Sequence, residues 1–262
     1  GKKYIQSFSI SGGKKVFQFN NAAPISEFIN SYYTLMREQN FMKIYEADFF
    51  RLNYNAGIGN GLNFSGAIQF QNRKSLENLA DIAFWKDFPN RSFSPNHPAE
   101  LGTAPMQNHQ AFLLSAGISW LPGAKYIEYP DRKVNIGSGY PTFTFTVTKA
   151  FAGILGADAN YTKWRVNISD ELDLKLAGEL KYSFTAGGFL QKDKVFEPDQ
   201  IHFLGNQVLF AGPFTQSFQL APYYRFSNTA SLYGVGHIEY HLNGLLTNKI
   251  PGFKKLNWFL LT

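Results

Sequence analysis

Alternation of apolar and polar side chains between Leu172 and Ala186 constrains the fold of this chain more than any other feature. One parity of this segment carries no charge, and the other carries four charged side chains. Successive side chains of a β-strand point to opposite faces, so the pattern predicts a strand with one apolar and one charged face. Its fifteen residues exceed the usual strand of about 5–6 residues. Such a strand is typical of a barrel with lipid outside and water inside.

The same alternation recurs along the chain. It is found in segments 62–71, 112–120, 142–148 and 161–169. In most of them the second set is polar or small rather than charged, which favours a hydrated lumen over a surface bathed in solvent. Soluble sandwiches also alternate, with the apolar face on a core, so a soluble β-sandwich is the alternative fold.

Composition excludes several classes of protein. Charged residues make up 17 % of the chain and aromatic residues also 17 %, whereas soluble domains carry about 25 % charged residues. The absence of cysteine excludes disulfides, thiolate metal sites and cysteine nucleophiles. No apolar run approaches the roughly 18 residues of a transmembrane helix. The net charge of +6 is spread without a run of Lys or Arg, which argues against nucleic-acid binding.

The order of strands and turns predicts an all-β, antiparallel transmembrane β-barrel of which about ten or eleven strands are visible. A short hairpin is expected at 3–20 with its turn at Gly12–Gly13. Residues 87–108 and 193–215 are expected to be long loops. Nine further strands are expected, at 43–58, 61–72, 110–121, 140–152, 158–170, 172–190, 217–226, 231–243 and 253–262.

One short helix is expected near residues 25–38. Pro24 is placed where a first helical turn tolerates proline, and the apolar residues from Ile25 onward follow helical spacing. The simplest interpretation is an ordinary helix packed on the end of the barrel. The alternative is a helix with a function of its own, as a plug or an interfacial anchor. Residues 1–262 are interpreted as one outer-membrane barrel domain, incomplete at both ends, because the chain lacks an initiator Met and begins and ends within expected strands.

His237, Glu239 and His241 share one parity of an expected strand. Side chains at such positions lie about 6.8 Å apart in succession, which is too far for one straight strand to place all three on a zinc ion. A polar row in the lumen, paired across strands, is therefore expected, and a metal ion would need a ligand from a neighbouring strand. No metal, no cofactor and no catalytic residue is predicted, since the chain lacks the Gly-x-Ser-x-Gly pattern of a nucleophile elbow.

Four segments together resemble a known family. They are Asn40–Glu46, Tyr129–Lys133 with Gly139–Pro141, Phe203–Gln207, and His237–Gly244 followed by Asn248–Pro251 and Lys254–Trp258. They resemble Gram-negative outer-membrane barrels of unknown function known as carboxypeptidase-regulatory-domain-like proteins, over most of residues 25–262. These barrels look like distant relatives of the surface-antigen barrels that insert outer-membrane proteins.

The resemblance implies an N-terminal immunoglobulin-like regulatory domain, which this sequence does not contain, and no peptidase activity. Assembly barrels also carry an Arg-Gly-Phe tripeptide in a loop tucked into the lumen. This chain has no such tripeptide, and Phe203, Gly205, Asn206 and Gln207 occupy a comparable loop. Since glycine and asparagine tolerate positive φ, Gly205–Asn206 would let this loop fold tightly, back into the lumen.

The functional expectation is a bacterial outer-membrane barrel, not an enzyme, with a structural or assembly-related role. Its partners would be the lipid bilayer, lipopolysaccharide and other outer-membrane proteins in a complex, with no nucleic acid. A channel or transport subunit for small solutes is one alternative. A barrel hydrolase that uses His237, Glu239 or His241 is the other.

Overall fold

The computed structural model describes residues 6–79, 82–85, 89–102, 104–129, 133–209 and 216–242. Within these ranges the chain forms ten strands and one α-helix. The elements are β1 (Gln6–Gln18), α1 (Glu27–Arg37), β2 (Ile44–Gly59), β3 (Leu62–Ser75), β4 (His109–Trp120), β5 (Tyr126–Glu128), β6 (Lys133–Asn135), β7 (Thr142–Ala150), β8 (Asn160–Asp173), β9 (Glu179–Lys194) and β10 (Tyr233–His241).

Eight of these strands form one antiparallel sheet in the order β1-β2-β3-β4-β7-β8-β9-β10, and β5 pairs with β6 in a small separate hairpin. Each strand of the large sheet therefore pairs with its neighbour along the chain. The all-β antiparallel fold with one short helix is confirmed. Over the ranges given above, β1 and β10 are the two edges of an open sheet, and closure into a barrel stays a prediction.

The expected long strand at 172–190 is instead the junction of two strands. β8 ends at Asp173, and β9 begins at Glu179. Between them the chain turns through Lys175 at φ 55° and Gly178 at φ 114°. Asp173 pairs with Glu179 across the hairpin, so odd-numbered residues of both arms lie on one face. The alternation therefore continues through the turn and imitates a single strand.

Three other strand predictions need correction. The expected hairpin at 3–20 is the continuous strand β1, whose Gly12 and Gly13 pair with β2 like their neighbours. Residues 217–226 form turns and one isolated bridge at Phe218 instead of a strand. The large sheet holds eight strands rather than ten or eleven within the described ranges. The predicted strand 253–262 and residue 243 lie outside the described residues.

The cross-strand register gives the sheet an apolar face and a polar face. Phe64, Ile118 and Phe145 are neighbours on β3, β4 and β7, on the face that we call the apolar face. One residue further along each strand, Ser65 and Thr146 flank Gly117 on the opposite, polar face. The two faces predicted from the alternation are thus present across the whole sheet.

The buried core lies on the polar face, at one end of the strands. We call this the loop end, because the connections β1–β2, β3–β4, β7–β8 and β9–β10 meet there, and we call the opposite end the turn end. The sheet and its ends supply small side chains where the connections pack against them. These are Ala47, Ala111, Ala150 and Ala159, each 0 % exposed. Larger side chains from the connections fill the space, among them Tyr223, Phe196 and Ile201.

Helix α1 packs at the loop end, as the simplest interpretation predicted. The side chain of Ser26 accepts a hydrogen bond from the backbone N–H of Ile29 and caps the helix. Tyr33 is the buried residue of the helix. Its hydroxyl accepts a hydrogen bond from the backbone N–H of Leu209 (2.8 Å), which lies in the connection between β9 and β10, residues 195–232. No described helix combines the length and apolar character needed to cross a bilayer.

Candidate functional site: a buried ionic latch

An ion pair between Arg73 and Asp199 fixes the 195–232 connection to the polar face. Arg73 lies near the loop end of β3, and Asp199 lies in a short 3₁₀ turn at 197–199. The two guanidinium nitrogens Nη1 and Nη2 donate to the two carboxylate oxygens at 2.7 and 3.0 Å. Both side chains are only 3 % exposed. We call this pair and its partners the latch.

Strand β8 supplies two more donors to the same aspartate. The hydroxyl of Tyr161 donates to Asp199 Oδ1 (2.9 Å), and the ammonium of Lys163 donates to the Asp199 backbone carbonyl (3.0 Å). Strands β4 and β7 separate β3 from β8 in the sheet. One loop residue therefore joins two non-adjacent strands.

His109 and Gln71 accept hydrogen bonds from two further guanidinium donors. Gln71 Oε1 accepts from Arg73 Nε (2.8 Å), and His109 Nε2 lies 3.2 Å from Nη1. His109 Nδ1 lies 2.8 Å from the backbone carbonyl of Gln107 and donates to it. This hydrogen bond assigns the tautomer in which Nε2 accepts from Arg73. The ring of Phe196 stacks on the imidazole at a centroid distance of 3.6 Å.

The electrostatics of the latch favour an ionised aspartate. Burial opposes ionisation of Asp199, but the guanidinium of Arg73 outweighs it and holds the pKa of the carboxyl below its usual value. A buried ion pair is tolerated when hydrogen bonds satisfy both charges, as they do here. Because its donors are engaged by fixed partners, the latch is suited to holding a segment in place.

A buried lysine fixes the 76–108 connection in a similar manner. The ammonium of Lys43 donates to Asn40 O (3.1 Å), Ser94 Oγ (2.6 Å) and Pro95 O (2.7 Å). Burial lowers the pKa of Lys43 to about 8. Asn96 accepts a hydrogen bond from the backbone N–H of Ile44 (3.0 Å). Two long connections are therefore anchored at the loop end by buried polar side chains.

The motif Phe203–Gln207 belongs to the latched connection and packs against the polar face. Phe203 contacts Tyr233 of β10 edge to face at 5.3 Å, and its carbonyl accepts from Asn20 Nδ2 (3.1 Å). Asn206 Nδ2 donates to Gln219 Oε1 at 3.2 Å, and Gln207 Oε1 accepts from a backbone N–H. The loop thus packs on the polar face of the sheet, and its expected return into the lumen of a barrel stays a prediction.

The reason for glycine in this motif differs from the expectation. Neither Gly205 nor Asn206 has positive φ. A Cβ at Gly205 would lie 2.5 Å from the carbonyl oxygen of Ala221 and 2.6 Å from that of Pro222. Close approach of two backbones, rather than a left-handed conformation, therefore requires glycine here.

His237, Glu239 and His241 lie on the polar face of β10, opposite Ser183, Lys181 and Glu179 respectively. The Nε2 atom of His241 contacts Glu239 Oε1. Lys181 forms ion pairs with Glu171 at 3.2 Å and with Glu179 at 3.7 Å. Over the described part of the chain, no three His, Asp or Glu residues are grouped closely enough to hold a metal ion. The hydrogen bond within this row runs along β10, and both its pairing across strands and its function stay predictions.

Sequence reasoning missed the latch. Arg73 and Asp199 are 126 residues apart, and no local pattern connects a strand arginine to an aspartate in a loop. The one available indication was Arg73 itself, a charge on the polar parity of a strand whose other inward residues are neutral.

Comparison with family models gives one match. The model described as the C-terminal domain of a family of unknown function (DUF5686) matches residues 1–262. Neither the curated proteins nor the solved structures contain a match to the chain.

Proposed function

This chain belongs to the DUF5686 family of unknown function, and we propose that it forms part of the wall of a bacterial outer-membrane β-barrel. The barrel serves a structural or assembly-related role through partner proteins and is not an enzyme. The observation that carries the proposal is the reversal of the usual burial pattern. Large apolar side chains face outward along the sheet, while the polar face encloses the core.

The apolar face is exposed on strands throughout the sheet. Ile10 on β1 is 62 % exposed, Phe145 on β7 is 44 % exposed and Ile238 on β10 is 66 % exposed. A water-soluble protein rarely exposes a contiguous apolar patch above a few hundred Å². Hydrocarbon is the environment that removes this cost, and it supports placing the apolar face against lipid.

The height of the apolar band fits a membrane. On β3 the outward residues from Leu62 to Phe70 are apolar or glycine. Their eight residue steps span about 27 Å along the strand at about 3.4 Å per residue. At a barrel tilt of about 40° this corresponds to a band about 21 Å high, close to the roughly 25 Å of known barrels.

A charged belt bounds the band at the loop end. On the same outward face, Lys14 pairs with Glu46 at 2.9 Å and Lys74 pairs with Asp48 at 3.0 Å. Long barrel connections lie on the extracellular side, so the belt would meet the lipopolysaccharide headgroups. Lipid and lipopolysaccharide are therefore the proposed surroundings of the wall.

The latched connection supports a non-conducting role. It crosses the polar face from β10, where Phe203 packs on Tyr233, to the side of β1 and β2, where Val208 and Tyr223 join the core with Phe19. The latch would hold this connection in the lumen, so that the loop end of the barrel stays blocked. A solute channel is the second candidate, favoured by the uncharged cavity at the turn end described below.

Envelope fractionation of the full-length protein tests the location. We expect it in the outer-membrane fraction, resistant to carbonate extraction, with heat-modifiable migration on gels. Recovery as a detergent-free, monomeric soluble protein would contradict the proposal. In planar bilayers the purified protein is expected to be silent, and a stable conductance would favour the channel instead.

A further inference from the structure

The turn end of the polar face contains a cavity of about 620 Å³, which we call the turn-end cavity. Its lining residues carry no formal charge. Apolar residues such as Ile58 and Leu62 form part of the lining, and six of its polar side chains are amides and hydroxyls from four strands. They are Asn55 on β2, Asn63 and Ser65 on β3, Ser119 on β4, and Thr144 and Thr146 on β7.

These six side chains have unused hydrogen-bonding capacity. Within the described ranges, none of them hydrogen-bonds to another side chain or to the backbone through its own polar atoms. Similar side chains elsewhere on the same face pair with one another: Ser115 Oγ lies 3.0 Å from Thr148 Oγ1, and Asn53 donates to Ser9 Oγ at 3.2 Å. The cavity thus groups six hydroxyl and amide side chains whose polar atoms remain available to a ligand.

A glycine brings two of these hydroxyls together. A Cβ placed on Gly117 of β4 would lie 2.6 Å from Ser65 Oγ and 3.4 Å from Thr146 Oγ1. Hydroxyls from β3 and β7 therefore converge over the bare backbone of β4. Any larger residue at position 117 would occupy this niche.

An aromatic ring completes the lining. Tyr126, on the small β5–β6 hairpin beside the large sheet, is among the lining residues and is 42 % exposed. Ligand sites commonly combine an aromatic surface with a few polar groups that fix orientation. The aliphatic C–H face of a sugar ring can stack on such a ring while its hydroxyls reach the strand side chains.

We propose that the turn-end cavity binds a short, uncharged oligosaccharide. Hydroxyl and amide side chains both donate and accept, which matches the hydroxyls of a sugar. The uncharged lining offers no ion pair to an ionic ligand. A volume of 620 Å³ lies within the range of about 300–1,000 Å³ typical of small-molecule sites. The inference goes beyond the proposed function and does not depend on the membrane.

Calorimetric titration of the full-length protein with maltotriose tests the site. The detergent must carry no sugar headgroup, so an amine oxide is suitable. We expect saturable binding that weakens about tenfold in the double variant Thr144→Val, Thr146→Val, because each valine keeps the volume and removes one hydroxyl. The matched control is Thr148→Val, on the same strand and face but paired with Ser115, and its affinity should change less than about twofold.

Three outcomes would overturn the site. They are no saturable heat with either maltotriose or chitotriose, binding that the double variant leaves unchanged, and tighter binding of the anionic trigalacturonate. Failure of the membrane proposal is distinguishable from all three. A protein that stays soluble without detergent yet binds maltotriose through Thr144 and Thr146 would keep the site and lose the membrane.

Discussion

Asp199 and Arg73 form an ion pair where a connection crosses the polar face. Removal of either charge would leave the other charge buried and uncompensated. Both are almost fully buried, and Tyr161 and Lys163 add donors to the same aspartate. Breaking one partner of a buried ion pair costs about 3–5 kcal/mol. A substitution that removes one charge of the latch is therefore expected to be strongly destabilising.

Asp199→Asn is expected to lower the free energy of unfolding by about 3–5 kcal/mol, because it leaves the guanidinium of Arg73 buried without a carboxylate. Urea titration of the folded protein in lipid vesicles measures this. Asp193→Asn is the matched control, since Asp193 is exposed, and it should change stability by less than about 0.5 kcal/mol. Equal losses of stability in the two variants would show that the ion pair does not stabilise the fold.

The latch also predicts acid sensitivity. The pKa of Asp199 is lower in the folded protein than its ordinary value, because Arg73 outweighs the opposing effect of burial. Its contribution is present above the unfolded pKa of about 3.9 and is lost as pH falls through the folded value. The stability gap between wild type and Asp199→Asn should therefore stay constant at neutral pH and narrow as the pH falls below about 4, through the lower pKa of the folded state. A gap that widens on acidification would contradict the assigned sign.

At the scale of the strands, the alternation predicted which side chains share a face, but it did not locate every strand end. The faces of β3, β4, β7 and β8 follow the sequence pattern because side-chain direction depends only on parity. The turn at 174–178 was missed because Asp173 and Glu179 pair directly and keep the same parity. β1 was divided at Gly12–Gly13 because glycine pairs are more common in turns than within strands.

The assigned faces predict different tolerance to charge at adjacent positions of β3. Ile68 lies within the apolar band and is 39 % exposed, whereas Gln69 lies on the polar face. Ile68→Arg should destabilise the protein by about 2–4 kcal/mol in lipid vesicles, because the arginine meets hydrocarbon. Gln69→Arg should cost less than about 1 kcal/mol, since a hydrated face accepts the charge. A larger loss for Gln69→Arg would reverse the assigned faces.

The hairpin between β8 and β9 depends on Gly178. This residue has φ 114°, and a Cβ there would lie 2.0 Å from the carbonyl oxygen of His241. Gly178→Ala should therefore cost at least about 1–3 kcal/mol in urea unfolding. Gly139→Ala is the control, because a Cβ at Gly139 has no neighbour within 4 Å, and it should be neutral or slightly stabilising. Similar losses in both variants would mean that the turn is not strained.

For the molecule as a whole, the fold class could be predicted from the sequence, whereas the candidate sites could not. The all-β antiparallel sheet follows from parity and from turn residues, which are local. The latch and the turn-end cavity arise where residues far apart in sequence meet on one face, as Arg73 and Asp199 do. Register across several strands decides such meetings, and no single segment encodes it.

The chain position of Asp199 has a consequence for biogenesis. Strands β1 to β9 precede this residue along the chain, so the guanidinium of Arg73 gains its carboxylate partner only when the connection after β9 folds onto the sheet. Contacts between residues so far apart are slow to form. Folding of the sheet would thus be completed only after Asp199 has reached Arg73. A polypeptide truncated before position 199 would stay incompletely folded and sensitive to proteases.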